Sequence, residues 1–74
     1  MPVLLDTLPA GARARVVQVN AGPRLSMRLF EMGIVPGSVV EVVANSRGPI
    51  LIRVRGVTLA IGRGMAKKIL VEPF

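Results

Sequence analysis

The sequence predicts a small, mainly β domain with one short helix inserted after its first strand. Three observations support this fold class: valine, isoleucine and leucine dominate the apolar residues, short apolar runs alternate with glycine and proline, and one segment has helical spacing. The chain has 74 residues, of which 51% are hydrophobic. We therefore expect a single domain over residues 1–74.

The chain begins with a short apolar segment that leads into the first strand. Leu5 and Leu8 in this segment are expected to cover one end of the core. The first strand is predicted over residues 14–19, because valine recurs there with strand-like spacing. We expect Val17 and Val19 to lie on one face of this strand.

A helix is predicted next, and its start and stop are both visible in the sequence. Pro23 suits the first helical position, where its missing N–H costs nothing. Leu25 and Leu29 are one turn apart and would face the core. Gly33 stands where the chain would turn left-handed to end the helix, and Ile34 would then pack back on Leu29.

A tight turn and a second strand follow the helix. Pro36 and Gly37 have the residue types preferred at the two central positions of a type II turn. The second strand is predicted over residues 38–44, with Val40 and Val42 facing inward.

Three further strands complete the predicted fold. Residues 50–55 and Val57–Ile61 form a hairpin that reverses at Gly56, and a fifth strand covers residues 68–72. Between the hairpin and the fifth strand, residues 62–67 are predicted as a short helical turn or a tight loop. In the first hairpin strand, aliphatic residues alternate with two outward arginines: Ile50, Ile52 and Val54 against Arg53 and Arg55.

Five short strands cannot bury their apolar faces as an open sheet of this length. Closing the sheet into a small barrel would remove the exposed edges and give the valines one shared interior. The pattern therefore favours a compact SH3-like barrel with one short helix after its first strand.

Residues 28–42 read Arg-Leu-Phe-Glu-Met-Gly-Ile-Val-Pro-Gly-Ser-Val-Val-Glu-Val. This run resembles the signature of the FeoA family, ferrous iron transport protein A, and the resemblance extends from Leu5 to Val71. It implies the same SH3-like barrel. The chain departs from the commoner family pattern Leu-Arg-x-x-x-Ala by keeping only Ala66, so Arg63 is the nearest substitute for the usual basic residue.

The residue inventory argues against metal and covalent chemistry. The chain has no cysteine and no histidine, and its four carboxylates are scattered along the sequence. Ferrous iron sites usually use imidazole, thiolate and carboxylate ligands, and nucleophilic catalysis needs a base beside the nucleophile. We therefore expect no enzyme activity and no tightly bound cofactor, although the resemblance associates the family with ferrous iron and transition metals.

The formal net charge of +6 indicates an acidic partner, with solubility of an apolar domain as the simpler alternative. Phe30 and Phe74 are the only aromatic residues, which is too few for base stacking or a Pro-rich peptide groove. We expect no specific nucleic-acid binding. No apolar run is long enough for a membrane helix, and the N-terminus lacks signal-peptide features, so a cytoplasmic location is expected.

The resemblance implies a cytoplasmic accessory protein of ferrous iron transport that contacts the GTP-binding portion of a FeoB-type membrane transporter. The alternative is a stand-alone SH3-like interaction module related to the C-terminal domain of metal-dependent transcriptional regulators. The sequence leaves open weak self-association and whether the protein activates or restrains transport. Outward-facing residues are the candidate partner-binding set: Arg24, Arg28 and Glu31 on the helix, Arg53 and Arg55 on the hairpin, and Arg63.

Overall fold

Short strands follow one another along most of the chain and join in one antiparallel sheet with the order β1-β6-β2-β3-β4-β5. The computed structural model describes all residues, 1–74. The elements in chain order are β1 (Val3–Leu4), a 3-10 turn (Leu5–Thr7), β2 (Arg13–Val19), α1 (Pro23–Glu31), β3 (Val39–Ala44), β4 (Ile50–Val54), β5 (Val57–Ile61), α2 (Arg63–Ala66) and β6 (Ile69–Pro73).

The predicted mainly β class is confirmed, but the number of strands is six rather than five. The additional strand β1 has two residues, which pair with Val71 and Leu70 of β6. A strand of two residues is too short to show an alternating sequence pattern, so its formation depends on pairing with β6. β1 and β5 lie at the two ends of the strand order, so no hydrogen-bonded ladder joins them. This differs from the closed ladder that the sequence predicted.

The sheet wraps around one core of 15 buried residues, all of them apolar. The inward faces predicted for β3 and β4 are confirmed, Ile69 and Val71 of β6 are buried as well, and Leu5 and Leu8 cover one end of the core. No charged or polar residue is buried, so apolar packing holds the interior together without internal ion pairs. No helix in the structure has the length and apolar character needed to cross a membrane.

The sequence did not predict which face of β2 is buried, and the structure shows it. Ala14 and Val16 are buried, whereas Val17 is 42% exposed. The cause is a β-bulge: Val16 pairs with Val71 and Gln18 pairs with the preceding residue, Leu70, so Val17 has no partner in β6. An extra residue in one strand reverses the side-chain alternation beyond it, which the sequence pattern alone did not indicate.

The predicted end of helix α1 is confirmed. Gly33 has a φ of +88°, and its N–H donates to the carbonyl of Phe30 at 2.9 Å. The N–H of Ile34 donates to the carbonyl of Leu29 at 2.8 Å. These two bonds form a Schellman motif, and they bring the buried side chains of Leu29 and Ile34 into the same core.

The turn after the helix also has its predicted form. The N–H of Ser38 donates to the carbonyl of Val35 at 3.0 Å, and Gly37 between them has a φ of +97°. With Pro36 at the first central position, this is the geometry of a type II turn.

The β4–β5 hairpin reverses through two residues rather than at Gly56 alone. β4 ends at Val54, and Arg55 leaves the strand pattern with a φ of +53°, followed by Gly56 at +79°. Positive φ at both central residues defines a type I′ turn, which matches the twist of a hairpin. Arg55 is therefore a turn residue, although its outward exposure was predicted correctly.

Candidate functional site

Helix α1 has three distinct faces. Leu25, Leu29 and Met32 face the core, and Arg24, Arg28 and Glu31 form a charged stripe in the solvent. A second apolar stripe lies between them and is open to solvent, with Met27 58% exposed and Phe30 63% exposed. Exposed apolar side chains at helical spacing indicate a surface that binds a partner.

This second stripe forms one wall of a groove with a volume of about 530 Å³. We name it the apolar groove, and the residues that line it come from α1, from the end of β2 and from the segment between α1 and β3. No charged side chain lines it. The lining residues are Val17, Gln18, Val19, Pro23, Ser26, Met27, Phe30, Ile34, Val35 and Pro36.

The end of β2 forms the opposite wall. The bulge turns Val17 out of the core, and Val17, Gln18 and Val19 all line the groove. β3 pairs with β2 only at Arg13–Arg15, and the turn before β3 adds bonds to Val16 alone. Beyond Val16 this edge of β2 has no neighbouring strand, so part of the groove wall is an unpaired strand edge.

Arg15 and Arg24 lie close to the apolar groove, and Glu31, which follows the lining residue Phe30, is the one acidic residue adjacent to it in sequence. Arg15 donates to the carbonyl of Gly37 at 3.0 Å, next to the end of the groove marked by Pro36. Glu41 pairs with Arg53 at 3.3 Å, and Glu72 pairs with the N-terminal ammonium at 2.7 Å. The surface around the groove therefore favours an acidic partner.

Four of the predicted partner-binding residues lie along helix α1 or beside its C-terminal end. Arg24, Arg28 and Glu31 form the charged stripe of α1. Glu31 and Arg55 line a second, smaller cavity of about 360 Å³ between the end of α1 and the hairpin. No ion pair joins these two side chains, and both are exposed.

Arg53 and Arg63 lie outside this group, because each has a partner within the chain. Arg53 faces Glu41 across the β3–β4 pairing, on the outer face of the sheet. Arg63 donates to the Oδ1 atom of Asn45 at 2.6 Å and also to the carbonyl of Ser46. Arg63 thus holds α2 to the loop after β3, which is a structural role. Its role in binding a partner stays a prediction.

Asn45 is a structural residue that the sequence analysis missed. Its Nδ2 atom donates to the carbonyls of Asp6 and Leu8 at 3.0 Å and 2.6 Å. Together with Arg63, it ties the N-terminal segment, the β3–β4 loop and α2 to one another. These contacts join distant parts of the chain, so no local signal announced them.

The sequence analysis also missed the apolar groove. A signal was present: Met27 and Phe30 are three residues apart on the helix, on a different face from Leu25 and Leu29. Helical spacing therefore indicated two apolar stripes where one is enough to cover a core. The contribution of Val17 had no such signal, since the bulge depends on pairing with β6.

The arrangement is suited to binding rather than to a reaction. No three His, Cys, Asp or Glu side chains come together in the structure. The groove offers apolar side chains, one amide and one hydroxyl, with no titratable group among its lining residues. A small, mainly β domain with an open apolar groove and basic residues beside it has the features expected of a protein-interaction domain.

The FeoA domain family matches residues 3–73, and the chain belongs to this family. A Methanocaldococcus jannaschii protein, provisionally named Fe(2+) transport protein A, is 44% identical over 62 residues. That similarity covers 84% of this chain and 76% of the relative.

Solved structures of the family have the same fold. A crystal structure of an iron uptake regulatory protein, FeoA, superposes with a TM-score of 0.95 at 35% identity, covering all of both chains. FeoA of Chlorobium tepidum has a TM-score of 0.87 at 33% identity, over 95% of this chain and 69% of that one. FeoA of Stenotrophomonas maltophilia, solved with zinc and described as a prokaryotic SH3 domain protein, has a TM-score of 0.84 at 30% identity. That similarity covers 95% of this chain and 89% of the other.

The fold is also shared with part of a larger regulator. A manganese-dependent transcriptional repressor has a TM-score of 0.91 over 99% of this chain and 37% of the repressor, at 23% identity. At this level of identity the likeness concerns the fold alone.

Proposed function

We propose that this protein is a cytoplasmic accessory protein of ferrous iron transport. In this role it binds the cytoplasmic GTP-binding portion of a FeoB-type membrane transporter. Membership of the FeoA family supports the link to ferrous iron. The description of the Stenotrophomonas maltophilia structure adds support, since it suggests a role for that FeoA as an activating factor of ferrous iron transport.

The observation that carries the proposal is the open apolar groove in a chain with a net charge of +6. Soluble domains rarely leave contiguous apolar surface exposed unless it contacts a partner. With no catalytic group beside the groove, the protein would act by binding one conformation of the transporter more tightly than another. Iron would be cargo of the transporter and would not need a site on this protein.

The proposal is tested by titrating the isolated cytoplasmic domain of the transporter with this protein. The titration is done without nucleotide, with GDP and with a non-hydrolysable GTP analogue. Binding is expected in at least one state, with an affinity that differs between states. Cells lacking the protein should take up less ferrous iron, and the gene supplied in trans should restore uptake. No binding in any nucleotide state, together with unchanged uptake, would refute the proposal.

A second candidate function remains from the sequence, and the likeness to the manganese-dependent repressor supports only the fold that it requires. In this case the protein would be a stand-alone SH3-like interaction module related to the C-terminal domain of metal-dependent transcriptional regulators, and such a regulator is the partner to test. The same titration against such a regulator separates the two candidates. Binding to the regulator and not to the transporter domain would favour the second.

A further inference from the structure

The wall of the apolar groove formed by β2 offers backbone hydrogen-bonding groups as well as apolar side chains. The last bonds on this edge are made by Val16, which donates to the carbonyl of Ser38 at 2.8 Å and accepts from the N–H of Gly37 at 2.7 Å. No backbone or side-chain hydrogen bond reaches this edge over Val17–Val19. The edge is therefore open for the rest of the strand.

The direction of the open groups follows from the pairing with β6. Asn20 donates to the carbonyl of Lys68 at 2.7 Å, so its N–H faces β6. Residues of an antiparallel strand alternate between the two edges. Val19 therefore presents its N–H and its carbonyl to the opposite edge, towards the groove. The bulge at Val17 produces this arrangement, because regular alternation from Val16 would turn the N–H and carbonyl of Gln18, and not those of Val19, towards the groove.

We propose that the apolar groove binds an extended, acid-flanked apolar segment of a partner protein, which adds as a strand along the open edge of β2. The segment would exchange hydrogen bonds with the backbone of Val19 and place alternate apolar side chains against Met27 and Phe30. This is peptide recognition by strand addition, in which backbone bonds fix the register and side-chain pockets select the sequence. The proposal rests on the proposed function in one respect, namely that the transporter would supply the segment.

Charge selects the flanks of the segment. Arg15 lies near the end of the groove marked by Pro36, because it donates to the carbonyl of Gly37. Arg24 follows the lining residue Pro23 on the helix. Because the groove itself is uncharged, acidic residues in the segment would have to lie at its flanks, where these cations can attract them.

The probe is a short synthetic peptide in which valines alternate with threonines between acidic residues at each end. It is titrated into isotope-labelled protein, and the amide resonances and their hydrogen exchange are followed. We expect saturable shifts at the groove residues and exchange of the Val19 amide slowed by about tenfold or more. A peptide methylated on the nitrogen of its central valine, which lacks that donor, should bind about tenfold more weakly, as should one with lysine flanks.

The two phenylalanines provide a matched pair of variants. Phe30 is 63% exposed in the groove, while Phe74 is 67% exposed beneath Arg13 and Arg15, outside the groove. Neither is in the core, so both variants should keep the amide spectrum of a folded domain. Phe30→Ser should weaken peptide binding by about tenfold or more, and Phe74→Ser by less than about twofold.

Four results would overturn the proposal. They are no binding of the peptide, bound peptide with unchanged exchange of the Val19 amide, equal affinity of the methylated peptide, and concentration-dependent shifts at the groove without peptide. The last would mean that a second copy of the chain occupies the groove.

Repeating the experiment with the transporter's cytoplasmic domain separates this proposal from the proposed function. If the domain binds while the Val19 amide is unaffected, strand addition fails and the proposed function stands. If the peptide binds as expected and the domain does not, the partner is wrong but the mode of recognition stands.

Discussion

The apolar groove and the β4–β5 hairpin are both exposed, but they differ in how completely their backbones are paired. β4 and β5 pair without interruption from Ile50–Ile61 to Val54–Val57, and β4 also pairs with β3. The edge of β2 in the groove has no partner beyond Val16. Strand β4 of the hairpin alternates buried and exposed residues, whereas the groove exposes Met27 and Phe30.

This difference separates residues that stabilise the fold from residues that remain available for a partner. A strand with neighbours on both sides and one buried face contributes to the global free energy of unfolding. An unpaired edge with exposed apolar side chains contributes little to the free energy of unfolding. Substitutions of exposed groove residues should therefore have little effect on folding. The arginines of the hairpin also have contacts within the chain. Arg53 pairs with Glu41, and the side chain of Arg55 lies over Gly33, where an added Cβ would be 3.4 Å from it.

The largest expected effect is on stability, from placing a charge in each region. Ile52 is fully buried in β4, and Ile52→Asp should lower the free energy of unfolding by more than about 4 kcal/mol, because it buries a carboxylate without a partner. Val17→Asp, at the bulge in the groove, should cost less than about 1 kcal/mol. Urea denaturation measures both, and equal losses would show that the groove wall is part of the core.

Hydrogen exchange of the free protein tests the same difference without substitution. The amide of Ile52 lies in a strand with neighbours on both sides and should exchange only on global unfolding. The amide of Val19 faces the open edge and should exchange roughly a thousandfold faster. Comparable protection of the two amides would mean that the edge of β2 is already covered.

A smaller effect is expected at Gly33, which ends helix α1 and lies beside the hairpin. Gly33→Val should cost about 1 to 3 kcal/mol, because a β-branched residue is strained at a φ of +88°. Its Cβ would also lie 3.4 Å from a methyl group of Val54. The control is Gly64→Ala, which meets no atom within 4 Å and should cost less. A thermal transition of the Gly33 variant at the parent temperature would refute the assignment of the helix stop.

The smallest effect is expected from neutralising the hairpin. Arg53→Gln combined with Arg55→Gln removes two charges without placing a carboxylate opposite Glu41. Stability should change by less than about 1 kcal/mol, since exposed ion pairs contribute little. Association with the transporter domain should slow severalfold at low salt, and the difference should disappear at high salt. A large loss that persists at high salt would place the hairpin in the interface.

Local features of the fold were predictable because each depends on a few neighbouring residues. The helix start at Pro23, the stop at Gly33 and the turn at Pro36–Gly37 are determined by backbone geometry that few residue types can adopt. The inward faces of β3 and β4 followed from strict alternation in the same way.

Features that depend on pairing between distant residues were not predictable. The run Val16-Val17-Gln18-Val19 is compatible with either side-chain register, and the pairing with β6 decides which valine is extra. The link from Asn45 to Arg63 likewise joins segments that are separated in sequence. Half of the groove, the stripe of Met27 and Phe30, was visible in helical spacing, but its β2 wall was not.

The most direct test of the groove as the docking surface compares two variants in one calorimetric titration series. Phe30→Ser and the hairpin double variant, Arg53→Gln with Arg55→Gln, are each titrated against the transporter's cytoplasmic domain at physiological salt. Loss of Phe30, which the partner would bury in the complex, should weaken binding by about tenfold or more. The hairpin variant should bind within about threefold of the parent, because exposed charges contribute little to affinity. Weak binding by the hairpin variant and unchanged binding by Phe30→Ser would contradict the assignment of the groove.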